Sequence, residues 1–273
     1  MTPRRVLDRR PEDDAPNKLK AEPSRARTNL GLPLAGYVIA FALLALPWLR
    51  RLGEGVPRTS SPYDAQLIIW ILAWVARALR VDPTHLFDGN INYPAPHQLT
   101  GSEHLLSTQL VFAPLAWMTG NAVIAAGLTT LVLYVLAALA MQQLLRRFGC
   151  GAAIAWFVGL DYTIGPAGAM LNLQSLQYPT VWLPAVALCL AALRERPDLA
   201  RASLLAGTLV AGVLSSYYGA VLLGIVALVW SVFEALRPGR GRGRFLLLAA
   251  AAALIAGAVL AIAARPYVAR GAA

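Results

Sequence analysis

Charged residues are scarce in this sequence. Only 14% of its 273 residues are Asp, Glu, Lys or Arg, whereas 58% are hydrophobic, and a soluble domain of this size carries roughly 25% charged residues. Several windows of about 20 residues hold almost no charge, and a helix of that length crosses the hydrocarbon core of a bilayer. The composition therefore argues against a soluble domain and predicts an all-α, polytopic transmembrane protein.

Cysteine and histidine are also rare. The two cysteines, Cys150 and Cys189, cannot encode a disulfide framework. All three histidines, His85, His97 and His104, fall in one stretch, but their spacing does not place a set of metal ligands on one helix. We therefore expect no cofactor, with a divalent metal as the alternative.

The formal net charge is +10, which in a soluble protein would suggest nucleic acid. In a membrane protein the positions of the charges matter more than their sum, so we expect no nucleic-acid partner. Residues 1–29 hold eight basic and five acidic residues and few large apolar ones. Such a segment cannot bury enough surface to fold, and it is predicted to be a disordered, basic, cytoplasmic tail.

Residues 30–273 are predicted to form one transmembrane helical domain with about seven spans. The remaining Lys and Arg residues lie mainly in three short connections, at 146–147, 194–201 and 237–244. Placing these on the side of the basic tail puts 17 of the 24 Lys and Arg residues in the cytoplasm, as the positive-inside rule favours. The predicted spans are 30–49, 121–145, 151–168, 175–193, 203–217, 219–236 and 245–264.

This topology requires that residues 102–119 do not cross the membrane. They are predicted to lie on, or dip into, its outer face as an interfacial or re-entrant helix. Residues 50–120 then form one long extracytoplasmic loop of a multi-pass protein of the cytoplasmic (inner) membrane. Titratable side chains gathered in one loop of an otherwise apolar chain mark that loop as the candidate site.

The loop begins with a predicted amphipathic helix. Ser61 and Pro62 suit its N-cap and first position. The helix is expected to lie at headgroup depth on a tryptophan-rich face. That face consists of Leu67, Trp70, Ile71, Trp74 and Ala78, and the opposite side carries Gln66, Ala73, Arg77 and Arg80. Further on, Glu103 is predicted to open the next apolar helix, with Ser102 or Thr100 as its cap.

These segments resemble a known family. DAQLIIWILAWVARAL at 64–79, DPTHLFDGNINYPAPHQL at 82–99 and SEHLL at 102–106, followed by a long span ending in LLRR, are similar to the GT-C superfamily of membrane glycosyltransferases. The likeness is to a bacterial, largely uncharacterised branch and covers roughly residues 30–200. It implies an all-helical enzyme that takes a sugar, a hexose or pentose, from a polyprenyl-phosphate-linked donor, with a catalytic acid in the first extracytoplasmic loop. The acceptor would be an envelope glycan or glycolipid.

The resemblance also implies roles for individual residues. Asp64 matches the catalytic loop acid, and Glu103 is the second acidic candidate. Two positions depart from the family pattern, because Arg77 stands where relatives often have His, and Asn172 begins a motif that relatives start with His. The implied substrate-binding residues are Asn90, Tyr93, His104 and Gln174.

The chemistry of sugar transfer needs a base for the acceptor's proton and cations for the departing phosphate. Asp64 is the predicted base. Arg77, Arg80 and Arg58 are the predicted phosphate ligands, with Arg77 first because it lies on the polar helix face.

Structural alternatives exist for the acidic residues. Asp64 can simply stabilise the start of its helix, and Glu103 can do the same for the next one. Asp161, the acid inside a predicted span, either lines a cavity or marks a helix end that is already hydrated.

Two other functional classes remain open. A secondary transporter would also use an intramembrane acid and broken helices, but the sequence has no internal repeat. A non-catalytic membrane protein is the second alternative. GT-C enzymes are usually longer than this chain, so we also expect that it is a partial one.

Overall fold

The computed structural model describes residues 30–55, 62–91, 93–165, 173, 176, 181–237, 239 and 241–271. Within these residues the chain is helical and forms no strand, which confirms the predicted all-α class. Two short 3-10 helices, Pro83–His85 and Gln98–Gly101, lie between α3 and α4. The α-helices are α1 (Gly31–Leu44), α2 (Leu46–Leu49), α3 (Pro62–Val81), α4 (Gln109–Thr119), α5 (Ala122–Arg147), α6 (Ala152–Ile164), α7 (Trp182–Glu195), α8 (Leu199–Val213), α9 (Tyr217–Leu236), α10 (Arg242–Ala263) and α11 (Arg265–Gly271).

Among the described residues, three helical stretches are long and apolar enough to cross a membrane. They are α5, α9 and the continuous stretch Arg242–Arg270, which joins α10 and α11. The protein is therefore a membrane protein with transmembrane helices. The four other predicted spans coincide with the shorter helices α1, α6, α7 and α8, so their number as membrane crossings stays a prediction.

Helix α5 is the axis of the bundle. Its 26 residues extend over about 39 Å. The Asn121 side chain caps its start by accepting hydrogen bonds from the N–H groups of Val123 and Ile124 at 2.9 and 3.1 Å. Arg147 lies in its last turn. The two ends of α5 therefore define two ends of the molecule.

Helices α1 and α2 run antiparallel to α5. The Trp48 ring of α2 lies where a side chain on Gly127 of α5 would stand, and the Phe41 ring of α1 lies 5.8 Å from the Tyr134 ring of α5. Nearer the start of α1, the Tyr37 hydroxyl occupies the space beside Gly159 of α6 and donates to the carbonyl of Trp156 at 2.9 Å. The start of α1 therefore lies toward the Arg147 end of α5.

The three arginine-bearing connections meet at that end. The Arg147 guanidinium binds the Glu195 carboxylate through two hydrogen bonds, at 2.6 and 2.8 Å, and Arg194 pairs with Glu234 at 2.5 Å. We call this the arginine end, consisting of residues 146–152, 194–201 and 237–244. The sequence predicted these connections on one side, and the contacts bring them together.

Helix α3 lies at the opposite end, against α4 and the first turns of α5. A core cluster there unites buried residues of α3 with Phe112 and Ala113 of α4 and Ala125 and Ala126 of α5. We call this the loop end, consisting of the described residues at 50–55, 62–91, 93–121, 214–217 and 263–271. These contacts therefore place the polar loop at the end of the bundle opposite the arginine connections.

The buried face of α3 differs in part from the predicted one. Ile71 and Ala78 are buried as expected, but Leu67 is 36% exposed. The buried face is rotated relative to the predicted one, because α4 and α5 pack against a row of α3 residues that includes alanines. A hydrophobic pattern gives alanine little weight, so it does not predict that this row is buried. The buried residues that the pattern missed are Ala65, Ile68, Leu72, Val75 and Ala76.

Candidate functional site

The loop after α3 folds back onto the tryptophans of that helix. The Trp70 indole N–H donates to the Asn90 side-chain oxygen at 2.9 Å. One turn further, the Trp74 N–H donates to the carbonyl of Leu86 at 2.8 Å. The two half-buried rings therefore hold the loop segment in place, a role that their expected position among lipid headgroups did not include.

Asp88 organises the turn that follows. Its carboxylate accepts a 2.8 Å hydrogen bond from the backbone N–H of His97, and the His97 ring nitrogen lies 3.3 Å from the same carboxylate. His97 itself adopts a positive φ of 55°, which non-glycine residues adopt rarely. The contact fixes the stretch that carries the candidates Asn90 and Tyr93, whose side chain is 85% exposed.

Glu103 occupies a different place from the one predicted. It does not open a helix, because α4 begins only at Gln109 and residues 102–108 are not helical. Its carboxylate instead accepts a 2.7 Å hydrogen bond from the backbone N–H of Tyr217, the first residue of α9. The expected caps Ser102 and Thr100 therefore cap no helix at Glu103. Glu103 is an acid at a helix N-terminus, as the macrodipole favours, but the helix comes from 114 residues further along the chain.

Burial controls the ionisation of Glu103. Its residue is 8% exposed, and this burial raises the pKa of the carboxyl above its ordinary value, while the N–H of Tyr217 and the hydroxyl of Ser216 donate to it and oppose the rise. Because this carboxyl accepts hydrogen bonds from the Tyr217 N–H and the Ser216 hydroxyl, it stabilises the start of α9. This geometry suits a structural role better than that of a base open to an incoming acceptor.

His104 is fully buried beside Glu103. Its ring lies 5.0 Å from the Tyr217 ring and 6.3 Å from the Tyr267 ring, and neither of its nitrogens has a hydrogen-bond partner among the described residues. Burial lowers the pKa of the imidazole to about 4. His104 is therefore a neutral core residue at pH 7, and it does not reach a surface where it could bind a substrate.

The loop is clamped by residues near the end of the described chain. The Tyr267 hydroxyl donates to the carbonyl of Ser102 at 2.9 Å, and its ring lies 4.6 Å from that of Tyr217. Sequence reasoning missed Tyr217 and Tyr267 as partners of the loop. Only their aromatic character close to apolar spans could have marked them.

Asp64 lies where the sequence placed it. Helix α3 begins at Pro62, and Asp64 is an exposed acid in its first turn. The position is consistent both with a catalytic acid and with stabilisation of the helix start. The predicted N-cap, Ser61, lies outside the described residues.

Arg77 and Arg80 lie far from Asp64 on the same helix. Arg77 is thirteen residues beyond it in α3, which corresponds to about 20 Å along the axis and about 140° around it. Its guanidinium stands over the Trp74 ring, 5.8 Å from the centroid. A phosphate held by Arg77 therefore cannot also lie beside Asp64, and the two predicted roles do not belong to one reacting centre. Arg58, Gln174 and Asn172 lie outside the described residues.

A groove of about 460 Å³ runs along α3. Residues Glu54 and Gly55 form one wall, and the first turn of α5 closes it at Val123. Arg77 continues the same helical face one turn further. The sequence did not indicate Glu54, which follows a predicted span. The α3 residues that line the groove are Gln66, Ile69, Trp70 and Ala73.

The remaining acid and the metal alternative can also be placed. Asp161 is exposed, one turn before the end of α6, which agrees with a helix end rather than a buried charge. Within the described part of the chain, no three His, Cys, Asp or Glu side chains are grouped so that they could hold a metal ion.

Comparison with protein-family models, with curated proteins and with solved structures finds no match to this chain.

Proposed function

We propose that this chain is a membrane glycosyltransferase, or part of one, that moves a sugar from a polyprenyl-phosphate-linked donor to an envelope glycan or glycolipid. The proposal rests on the motif resemblance in residues 64–106 and on the groove along α3. The observation that carries it is the exposed Asp64 in the first turn of α3, and the volume of the groove, about 460 Å³, is within the range of small-molecule sites. The groove also lies at the end of the bundle opposite the arginine connections. The positive-inside rule places those connections in the cytoplasm, and it therefore assigns the end with the groove to the outer face.

The groove offers groups that suit a sugar phosphate. Trp70 provides an aromatic surface with its N–H fixed on Asn90, and aromatic rings pack well against the apolar faces of sugars and similar ligands. Glu54 supplies a carboxylate. Arg77, exposed one turn further along the same helix, offers a charge for the phosphate to a reaction that takes place in the groove.

In the reaction, a carboxylate removes the proton of the acceptor hydroxyl as its oxygen attacks the anomeric carbon. The bond from that carbon to the donor phosphate breaks, and a guanidinium stabilises the phosphate that leaves. Asp64 is the proposed base, by its match to the family acid. Glu54 is the second candidate, because it is the one acidic residue in the lining of the groove.

The two candidates imply two different centres. A reaction at Asp64 takes place at the first turn of α3 and needs a nearby cation such as Arg58. A reaction at Glu54 takes place in the groove and uses Arg77. The phosphate ligand therefore changes with the base, which gives the experiment two linked readouts.

The experiment assays membranes that contain the chain with a panel of polyprenyl-phosphate sugars. Asp64→Asn is expected to lower turnover by roughly 10²–10⁴, whereas a residue that only stabilises its helix would cost about 1 kcal/mol of stability and leave transfer intact. Arg58→Gln should share the loss and Arg77→Gln should not. The matched control is Asp82→Asn, an exposed loop carboxylate outside the groove.

The opposite pattern, with loss in Glu54→Gln and Arg77→Gln and near-normal transfer in Asp64→Asn, would move the centre into the groove. Absence of transfer with every donor of the panel would contradict the proposed function itself.

A further inference from the structure

A second, larger cavity lies at the arginine end, away from the groove. Its volume is about 910 Å³, and it opens between the last turns of α5, α7 and α9. One side of the cavity is charged, with Arg147, Arg194, Glu195, Glu234 and Arg237. The other side is apolar and is formed by Ile225, Val226, Val229, Trp230 and Phe233 of α9.

The charges around this cavity do not cancel. Glu195 holds Arg147 through two hydrogen bonds, and Glu234 holds Arg194 at 2.5 Å. Arg237 is the third arginine of the lining, and neither of these two carboxylates neutralises it. Its guanidinium lies over the Phe233 ring, 3.9 Å from the centroid, a geometry that leaves the N–H groups in the guanidinium plane open to an acceptor. The lining therefore carries a net charge of one positive unit.

The Trp230 indole belongs to the apolar part of the lining. Its nitrogen has no solvent-accessible surface and no hydrogen-bond partner among the described residues, so a ligand in the cavity does not reach the N–H. Trp230 lines the same cavity as Arg237 and contributes its ring to the lining.

We propose that this cavity binds one anionic phospholipid. The phosphodiester lies at Arg237, and an acyl chain runs along the apolar side of α9. A single negative charge matches the net charge of the lining. The volume far exceeds that of a free phosphate, and one whole side is apolar. Helix α9 is a candidate membrane span, so its end lies at headgroup depth. The positive-inside rule assigns this end to the cytoplasmic leaflet, where anionic lipids are abundant.

Native mass spectrometry of the full chain in detergent tests this directly, with phosphatidylglycerol and phosphatidylcholine as probes. We expect one phosphatidylglycerol to be retained in preference to phosphatidylcholine. Arg237→Gln should weaken that binding about fivefold, the usual contribution of one arginine at an anionic lipid surface. Arg244→Gln is the matched control, because Arg244 is an exposed arginine at the same end that does not line the cavity.

A second variant separates the cavity from general electrostatic attraction. Ile225→Ala keeps the net charge but removes apolar surface along which the acyl chain runs, and should weaken phosphatidylglycerol about threefold. Excess inorganic phosphate should not displace the lipid, since it lacks the acyl chain. The proposal is overturned by equal retention of the two lipids, by equal losses in Arg237→Gln and Arg244→Gln, by unchanged binding in Ile225→Ala, or by full displacement with phosphate.

Discussion

The two ends of this bundle are held together in different ways. At the loop end, a long irregular chain is fixed by hydrogen bonds that involve backbone groups, such as Glu103 to the Tyr217 N–H and Tyr267 to the Ser102 carbonyl. At the arginine end the connections are short, and the strongest contacts are side-chain ion pairs such as Arg194 with Glu234. An irregular chain must satisfy its own N–H and C=O groups, whereas helices joined by short connections have already done so. The loop end can therefore form a groove. The arginine end instead presents charged side chains, which can bind ligands and set the orientation of the protein in the membrane.

We expect the two ends to face opposite sides of the membrane, which is the largest difference between them. Cys150 lies in an arginine-end connection, and Ala95 is exposed at the loop end. We expect Ala95→Cys, in a chain with Cys150→Ser, to react with an impermeant maleimide in intact cells. Cys150 should react only after the membrane is opened. The effect is all-or-none because the bilayer excludes the reagent, and reaction of Cys150 from outside would reverse the sidedness.

The next largest effect separates the two ion pairs of the arginine end. Arg194→Gln leaves Glu234 buried without its partner, since the Glu234 side chain is only 8% exposed, and breaking a buried pair typically costs about 3 kcal/mol or more. Arg147→Gln breaks a pair whose Glu195 side chain is 55% exposed, and should cost about 1 kcal/mol or less. Thermal unfolding in detergent measures both.

The double variant Arg194→Gln with Glu234→Gln serves as the control for that prediction. It removes the buried charge together with its partner and should recover most of the lost stability. Equal costs for the two single variants would mean that both pairs are effectively exposed to solvent.

The effect predicted at the loop end depends on pH and is absent at neutral pH. Burial keeps the pKa of His104 at about 4 in the folded chain, below the ordinary value of about 6.5. The unfolded chain therefore binds a proton first as the pH falls. This lowers stability progressively between pH 6.5 and 4, by up to about 3 kcal/mol, and leaves it unaffected above pH 6.5.

The measurement is the difference in unfolding free energy between the native chain and His104→Phe across this pH range. The difference isolates His104 from Glu103, whose raised pKa acts in the opposite direction: stability is lost as the pH rises through it. Phenylalanine preserves the ring contacts with Tyr217 and Tyr267 and does not titrate. A difference that stays constant between pH 6.5 and 4 would show that His104 is protonated in the folded chain.

The sequence predicted the local features of this protein well and the non-local ones poorly. The start of α3 at Pro62 and the course of α5 follow from capping residues and from apolar runs that act over a few residues. The role of Glu103 could not be predicted in the same way. Its partner, Tyr217, is 114 residues away, and a helix N-terminus attracts an acid from any part of the chain.

What the sequence determined by itself is the class of the protein and the pattern of its charges. Scarce charge and long apolar runs require helices in a membrane, because only structures that satisfy their own backbone groups can cross it. Only the tertiary structure decided which face of α3 is buried, that Glu103 binds the start of α9, and that Glu54 and Trp70 share a groove. The physical reason is that burial and proximity depend on packing between distant elements, whereas hydropathy and capping act within a single one.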